Sequence, residues 1–294
     1  MRFLAGVLLI FLCSLGIANT KTKPTEEAPA SITIGLIPGG SPEKLREQAV
    51  ALAKDIQGTI NVPVNVFLPK DYNGLIDALV DKKVDFAFFS SLTFVAAEQR
   101  TPVKVLLKKV WKEPFYYSFI VTLKNSPIRK LQDLKGKRVA FVDNKSSSGY
   151  LYPMVALKKA GLKQEDFKEV IFSGNHEASV KLLEEKKVDA VAVYSDDITG
   201  KTGAWVEFGK KDMKVRSLWK SDPIPNDPFC VREDFYQAFP KTTHDLMFAF
   251  IDAAEKSKGK YTEVLGARDL MPATSKQYDP VREMQKAMGP EISL

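Results

Sequence analysis

The sequence contains one segment twice, and this internal repeat constrains the fold more than any other feature. The copies are LIDALVDKKVDFAFFSS at 75–91 and SVKLLEEKKVDAVAVYSDD at 179–197. Each has apolar residues at helical spacing, then Lys-Lys-Val-Asp, then a continuous apolar run that ends in polar residues. A helix followed by such a run is typical of a parallel sheet that is buried on both faces. The repeat therefore predicts a helix, a turn, a strand and a polar tip, twice in one chain.

A second pair of matching segments lies upstream of the two copies. SITIGLIPGG at 31–40 and KRVAFVDNKSSSG at 137–149 each predict a strand, and the helices that follow are expected at about 42–57 and 151–160. Alternating strands and helices favour parallel α/β sheets, and two similar sets favour two α/β lobes. Ligands of such sheets bind beyond the carboxyl ends of the strands, where the polar tips gather. We expect a ligand cleft between two lobes.

The segments between and after the repeats indicate how the lobes connect. FYYSFIVTLKN at 115–125 predicts a strand that leaves lobe one, and KVRSLWKSDPIP at 214–225 predicts a strand that returns. A helix at 242–256 carries apolar residues on one face, so we expect the C-terminal tail to pack on lobe one. The two crossing strands would act as a hinge. The predicted boundaries are 31–119 and 223–294 for lobe one, and 120–222 for lobe two.

The N-terminal residues have the pattern of a secretory signal peptide. A basic residue precedes an apolar run that is too short to span a bilayer, and small residues follow it. We expect a signal peptide over 1–18, cleaved after Ala18, and a flexible linker over 19–30. Lipid attachment at Cys13 is an alternative, but bulky Phe11 and Leu12 precede this cysteine. Cys230 would then be the one remaining thiol, so no internal disulfide would form.

Charge and composition argue against two classes of function. The formal net charge is +7, but the lysines are scattered in pairs rather than gathered in one tract. That distribution is typical of a solvated surface, and we expect no nucleic-acid partner. The two histidines lie far apart in sequence, and no Cys-x-x-Cys spacing occurs, so neither a metal site nor a cofactor is expected. The basic field would still attract a small anion.

VDNKSSSGYLYP at 142–153 is the strongest candidate for a binding element. Ser146, Ser147 and Ser148 follow a strand and precede a helix, so their hydroxyl and N–H groups either cap that helix or bind an oxyanion. His176 in FSGNHEAS occupies the same position after the next apolar run. A histidine donates to a phosphate-like oxygen in either protonation state, although a capping or surface role is the alternative. The other histidine, His244, is assigned to the surface.

Acidic and aromatic residues complete the set of candidates. Asp196 and Asp197 end the second repeat copy, and Asp227 lies in the proline-rich SDPIPNDPF. Carboxylates near an anion repel it unless the ligand brings a proton or an ammonium group, and the aspartate pair is equally consistent with a helix start. Tyr72 in PKDYNG, and Tyr116 or its neighbour in EPFYYSF, would close over a small ligand, with core packing as the alternative.

Four separated motifs, in this order, resemble the phosphonate, phosphite and phosphate-binding proteins of bacterial ABC importers. They are KDYNGLIDALVDKKVDFAFFSSLTFVAAEQ, SSSGYLYP, SGNHEASVKLLEEKKVDA and DPIPNDPF, within about 32–239. The resemblance implies a two-lobed periplasmic binding protein of type II, with two α/β domains joined by two crossing strands. The family often has threonine where this chain has Ser147, and an aromatic hydroxyl near Phe94. The resemblance implies ligand contacts from Ser146, Ser147, Ser148, His176, Tyr72, Tyr116, Asp227 and Asp196.

The expected function is therefore capture of a small phosphorus oxyanion outside the cytoplasm and its delivery to an ABC permease with its ATPase. The alternative is a sensor subunit that presents the same anion to a membrane receptor kinase. A hydrolase is disfavoured, because the Gly-x-Ser-x-Gly elbow of a Ser-His-Asp triad is absent. We expect a periplasmic monomer without catalytic residues.

Overall fold

The computed structural model describes residues 27–37, 42–256 and 259–289, which form two mixed sheets with flanking helices. The strands are β1 (Ile32–Leu36), β2 (Val64–Phe67), β3 (Phe86–Phe88), β4 (Val103–Val110), β5 (Phe115–Leu123), β6 (Arg138–Phe141), β7 (Glu169–Phe172), β8 (Ala190–Ser195), β9 (Val215–Lys220), β10 (Ile224–Pro225), β11 (Pro228–Arg232) and β12 (Asp269–Pro272). The helices are α1 (Pro42–Ile60), α2 (Tyr72–Val80), α3 (Ser91–Glu98), α4 (Tyr152–Lys159), α5 (His176–Glu184), α6 (Ala204–Glu207), α7 (Glu233–Ala238), α8 (Pro240–Lys256), α9 (Thr262–Leu265) and α10 (Asp279–Met288). A π-helical turn at Ser147–Leu151 precedes α4, and short 3₁₀ turns lie at Leu131–Leu134, Gln164–Asp166 and Ser275–Tyr278.

The two sheets share one topology at their centres. The first has the order β12-β4-β11-β3-β1-β2, and the second has the order β10-β5-β8-β6-β7, with β9 also paired to β5. The strands β2, β1 and β3 are parallel, as are β7, β6 and β8. The remaining pairs are antiparallel. Each lobe is thus built on the same β-α-β-α-β unit, which confirms the predicted α/β class and the internal repeat.

The shared Lys-Lys-Val-Asp motif makes the same turn in both copies. The first lysine of each motif, Lys82 and Lys186, has a left-handed backbone with φ of 58° and 57°. The closing aspartate then clasps the neighbouring strand: the Asp85 carboxylate accepts a hydrogen bond from the Thr33 N–H at 2.8 Å. The Asp189 carboxylate does the same for the Arg138 N–H at 2.9 Å. The motif is therefore structural, because it ends a helix and fixes the start of a strand.

The chain crosses between the sheets twice, at residues 111–114 and 226–227. Strand β5 belongs to the second sheet over its whole length, and so does β10, so these crossings lie a few residues from the predicted boundaries at 119/120 and 222/223. The prediction of one strand at 214–225 was wrong. It is divided into β9 and β10, because the intervening segment contains Pro223, which has no N–H to donate to the sheet.

The C-terminal helices pack in two different ways. Helix α8 packs against α1 beside the first sheet, with Leu246 and Phe250 buried, as predicted for the helix at 242–256. The last helix, α10, contacts α3 of the first lobe and also α4 and β10 of the second. The Lys158 ammonium of α4 donates to the carbonyl of Met288 at the end of α10 at 3.0 Å. The tail therefore joins both lobes, whereas packing on lobe one alone was predicted.

The predicted signal peptide, Cys13 and most of the predicted linker lie outside the described residues. Across the described ranges, no helix combines the length and apolarity needed to cross a bilayer. Cys230 is a free, fully buried thiol on β11, and burial raises its pKa well above the usual value.

Candidate functional site

A cleft of about 220 Å³ lies where the two sheets meet, and side chains from both lobes line it. One wall is apolar and includes Leu36, Leu45 and Phe88. The rest is mostly polar. Seven of the eight predicted ligand-binding residues line this cleft: Tyr72, Tyr116, Ser146, Ser148, His176, Asp196 and Asp227.

Several of these residues stand at the start of a helix that follows a strand. Tyr72 is the first residue of α2, and His176 is the first residue of α5. The serines stand at the start of the π-helical turn that leads into α4. The first N–H groups of a helix have no acceptor within the helix, and they carry the positive end of its dipole. The cleft therefore gathers helix N-termini from both lobes, which is an arrangement suited to an anion.

The serine loop is both a helix cap and a contact between the lobes. The Ser146 hydroxyl accepts from the Gly149 N–H at 3.0 Å, so this serine caps the turn. The Ser147 hydroxyl accepts from the Leu92 N–H of α3 at 2.8 Å, and Ser147 does not line the cleft. The Ser147 side chain was predicted to contact the ligand directly. Its hydroxyl instead faces α3, so its position does not agree with this prediction.

Gly149 allows the serine loop to fold back on its strand. A Cβ at Gly149 would lie 2.5 Å from the side chain of Val142, which is closer than carbon atoms can pack. The chain must come this close because the Val142 N–H donates to the carbonyl of Gly149 at 3.1 Å. Glycine is therefore required in SSSG for steric reasons, and its φ is not positive.

One tyrosine from each lobe lies beside the serine loop: Tyr72 at the start of α2 and Tyr116 on β5. The Tyr72 side chain is close enough to Ser146, and the Tyr116 side chain close enough to Ser147 and Ser148, for the serines to affect the pKa of each tyrosine. Burial and the nearby Asp227 carboxylate raise the pKa of both tyrosines, so both remain protonated donors. Of the neighbouring pair on β5, Tyr116 is the cleft residue. Tyr117 instead packs edge-on against Phe115, with 6.1 Å between ring centroids.

His176 lines the cleft as a half-buried, neutral imidazole. Burial lowers its pKa to about 3, so the charged form considered from sequence does not apply at neutral pH. Its ring lies edge-on to Tyr194 with 4.8 Å between centroids. Within the described part of the chain, its Nδ1 has no hydrogen-bond partner. An unpaired buried polar atom is unfavourable, so a ligand oxygen or a water at this position would satisfy it.

The carboxylates differ sharply from one another. Burial, and repulsion from Glu207 and other acidic groups, raise the pKa of Asp196 to about 7. Burial also raises the pKa of Asp227, whereas the nearby Lys109 ammonium acts to lower it. Asp197 does not line the cleft. Although burial works in the opposite direction, hydrogen bonds from Thr199 and Thr202 hold the pKa of Asp197 well below its usual value, so this residue forms a turn.

Five polar side chains of the cleft were missed from sequence: Ser90, Lys109, Tyr194, Glu207 and Asn226. Ser90 and Tyr194 lie in the polar tips of the two repeat copies, which was a usable signal. The Tyr194 hydroxyl donates to the Glu207 carboxylate. Lys109 and Glu207 lie in segments without a motif, and only the fold brings them to the cleft. No cluster of three or more metal-ligating side chains occurs among the described residues.

The profile of one protein family matches residues 34–278 of the chain. That family is described as the periplasmic substrate-binding proteins of phosphonate ABC transporters. The phosphonates-binding periplasmic protein of Escherichia coli is 28% identical over 267 residues, which cover 88% of this chain and 77% of that protein. The phosphate-import protein PhnD of Mycolicibacterium smegmatis is 28% identical over 309 residues, which cover 97% of this chain and 94% of that protein.

Solved structures show the same fold. A Prochlorococcus marinus protein, determined in complex with methylphosphonate, superposes with a TM-score of 0.75 and 22% identity, covering 88% of this chain and 98% of that one. The binding component of an ABC phosphonate transporter from Pseudomonas aeruginosa gives a TM-score of 0.74 and 22% identity, covering 88% of this chain and 86% of that one.

Proposed function

Because the chain belongs to the family of periplasmic substrate-binding proteins of phosphonate ABC transporters, we propose that its cleft captures a small phosphorus oxyanion for delivery to an ABC importer. The two-lobed fold is that of type II periplasmic binding proteins. The relatives described above are named for binding or importing phosphonates or phosphate, and the sensor alternative receives no support from them.

The single observation that carries the proposal is the convergence of neutral hydrogen-bond donors on one interlobe cleft. Ser146 and Ser148 stand at a helix N-terminus, and the Tyr72 and Tyr116 side chains line the same cleft beside them. His176 adds a buried ring nitrogen that lacks a partner in the described part of the chain. A tetrahedral oxyanion needs several donors from different directions, and this set supplies them without a guanidinium group.

The capture proceeds, in this proposal, by closure of the lobes around the anion. The serine loop and His176 belong to the second lobe and hold the phosphorus oxygens first. Tyr116, on β5, belongs to the same lobe, and Tyr72 of the first lobe and Asp227 of the crossing segment then complete the site. When they are ionised, Asp227 and Asp196 accept a hydrogen bond from a P–OH group, so in that state they prefer a protonated ligand to a full dianion.

Location and partners follow from the proposed role. The mature protein works in the periplasm, after removal of residues 1–18, and docks on a permease that is driven by an ATPase. The E. coli relative is itself described as periplasmic, which supports this location. The monomeric state remains a prediction.

The first test is isothermal titration calorimetry of phosphate-free mature protein with phosphite, phosphate and methylphosphonate, with sulfate as the comparison anion. We expect micromolar or tighter binding of at least one phosphorus ligand, at least about tenfold tighter than sulfate. No binding of any phosphorus ligand would overturn the proposal.

The two histidines offer a matched pair of variants for the same titration. His176→Ala should weaken binding by about 1.5–3 kcal/mol, because it removes a buried hydrogen bond to a charged ligand. His244→Ala should bind as the wild type does, since His244 is exposed on α8. Equal affinities in both variants would place the oxyanion elsewhere.

A further inference from the structure

Lys109 is the one lysine or arginine among the described residues that line the cleft. It lies near the end of β4, where its backbone N–H donates to the carbonyl of Asp227 at 3.0 Å. Its ammonium is 3.5 Å from the Asp227 carboxylate, and the Lys109 side chain is only 13% exposed. The main-chain and side-chain contacts with one residue hold Lys109 in register with Asp227.

The ammonium group of Lys109 is closely surrounded by other groups of the protein. It lies 5.5 Å from the centre of the Phe88 ring, within reach of a cation–π attraction. On another side is Gly266, where a Cβ would come within 3.3 Å of the ammonium nitrogen. Gly266 has a left-handed backbone with φ of +53°, which disfavours any larger residue there. The charge of Lys109 is thus enclosed by an aromatic ring, a glycine and a carboxylate.

Charge balance gives the Lys109 ammonium group, in this position beside Asp227, a role in ligand choice. A buried carboxylate is unfavourable unless a cation is paired with it. In a cleft that also receives an anion, the cation beside Asp227 is either an ammonium group of the ligand or an ammonium group of the protein. Here the protein supplies it, and a second ammonium group at the same carboxylate would meet the positive charge of Lys109.

We propose that Lys109 is a specificity-determining residue, which neutralises Asp227 from within and makes the cleft selective for phosphorus oxyanions that carry no amine. This inference rests on the proposed function and narrows its substrate class to phosphate, phosphite and alkylphosphonates. Lys109 also acts on the Asp196 carboxylate, although the acidic neighbours Glu207 and Asp227 act on it more strongly. The Glu207 carboxylate is engaged by the Tyr194 hydroxyl.

The test compares two ligands of the same size. 2-Aminoethylphosphonate ends in an ammonium group, and propylphosphonate has a methyl group in its place. Methylphosphonate serves as the smaller reference. Calorimetry is performed on the wild type, on Lys109→Met, and on Lys108→Met, a substitution of the adjacent lysine that does not line the cleft. Thermal melts establish that each variant is folded.

We expect the wild type to bind propylphosphonate at least about tenfold more tightly than 2-aminoethylphosphonate, because of the like charge at Lys109. In Lys109→Met, 2-aminoethylphosphonate should bind more tightly than propylphosphonate, since Asp227 then needs the ligand's ammonium group. Methylphosphonate should bind to this variant at least about tenfold more weakly than it binds to the wild type. Lys108→Met should keep the wild-type values.

The outcomes separate the two proposals. A wild type that prefers 2-aminoethylphosphonate, or a Lys109→Met variant that keeps the wild-type order, overturns the role of Lys109 and leaves the proposed function standing. If the wild type binds only methylphosphonate, an unchanged methylphosphonate affinity in Lys109→Met also overturns the role of Lys109 and leaves the proposed function standing. If the wild type binds none of the three ligands, phosphate and phosphite take the place of methylphosphonate in the same comparison, and a wild type that binds neither of them overturns the proposed function itself.

Discussion

At the scale of the residue, burial sets the charge of several titratable groups in the cleft. His176 is neutral because the charged ring is poorly solvated there, and its pKa is lowered to about 3. The same burial keeps Tyr72 and Tyr116 protonated. Asp196 has its pKa raised to about 7. The cleft therefore presents mainly neutral donors, which bind an anion without a large desolvation penalty of their own.

The raised pKa of Asp196 predicts a pH-dependent affinity. Below pH 7 this carboxyl is mainly protonated and donates to a ligand oxygen, whereas above pH 7 it is charged and repels the anion. We expect anion affinity to fall by about tenfold between pH 6 and 8.5 in the wild type, beyond the change seen in Asp196→Asn. The asparagine is a neutral donor at every pH, so it removes this titration and retains the ligand's own.

Titration calorimetry with methylphosphonate across this pH range checks the prediction, and Asp196→Asn is the built-in control because both proteins meet the same ligand species. Parallel affinity profiles for the two proteins would mean that Asp196 does not face the anion.

At the scale of the element, the repeated turn shows how a short motif is used for structure. Lys82 and Lys186 occupy left-handed positions that glycine adopts without strain. Each turn is followed by a buried valine and by the aspartate that clasps a neighbouring strand. Neither lysine lines the cleft, so we expect a substitution in these turns to leave ligand binding unchanged.

Replacing the left-handed lysine should stabilise the fold. We expect Lys186→Gly to raise the free energy of unfolding by about 0.5–1 kcal/mol, because glycine has no Cβ penalty at positive φ. The same change at the next residue, Lys187→Gly, should lower it by a similar amount, since φ is not positive there and glycine adds only chain entropy. Urea unfolding measures both. A loss of stability in Lys186→Gly would contradict the assigned backbone conformation.

At the scale of the whole molecule, the two lobes are joined by more than the crossing segments. The Thr93 hydroxyl of α3 donates to the carbonyl of Lys145 in the serine loop at 3.2 Å, and the Ser90 hydroxyl donates to the same carbonyl at 3.0 Å. One cluster of buried side chains includes Phe94 from the first lobe and Leu157 from the second. These contacts stabilise the closed arrangement in which the cleft is complete.

Removing one interlobe hydrogen bond should therefore weaken binding without touching the ligand. We expect Thr93→Val to reduce anion affinity by about 2- to 10-fold, because a less favourable closed state lowers the fraction of competent protein. Thr122→Val loses a comparable bond, from its hydroxyl to the Asp189 carbonyl at 2.7 Å, within the second sheet. This control should lose stability but keep its affinity.

Calorimetry and urea unfolding on both variants give the comparison. If Thr122→Val weakened binding as much as Thr93→Val, the effect would reflect general destabilisation rather than lobe closure.

The amino-acid sequence by itself determined the local elements and pointed to seven of the side chains that line the cleft. Periodicity, repeated motifs and turn chemistry act over a few residues, so the helices, the parallel strands and their polar tips were predictable. Because parallel strands of one sheet end at the same edge, residues as far apart as Ser146 and His176 could be assigned to one cleft. Tyr72, Tyr116 and Asp227 were candidates from their local segments, and the resemblance to a known family implied a ligand contact for each.

Only the tertiary structure decided what depends on contacts between distant segments. Ser147 faces α3 rather than the cleft because the lobes meet at that point, and no local pattern encodes this meeting. Lys109 was one of many paired lysines in the sequence, and its charge matters because the fold places it beside Asp227 in a poorly solvated wall. Burial and charge pairing are properties of packed three-dimensional neighbours, so the shifted pKa values and the choice of ligand arise only when both lobes are in place.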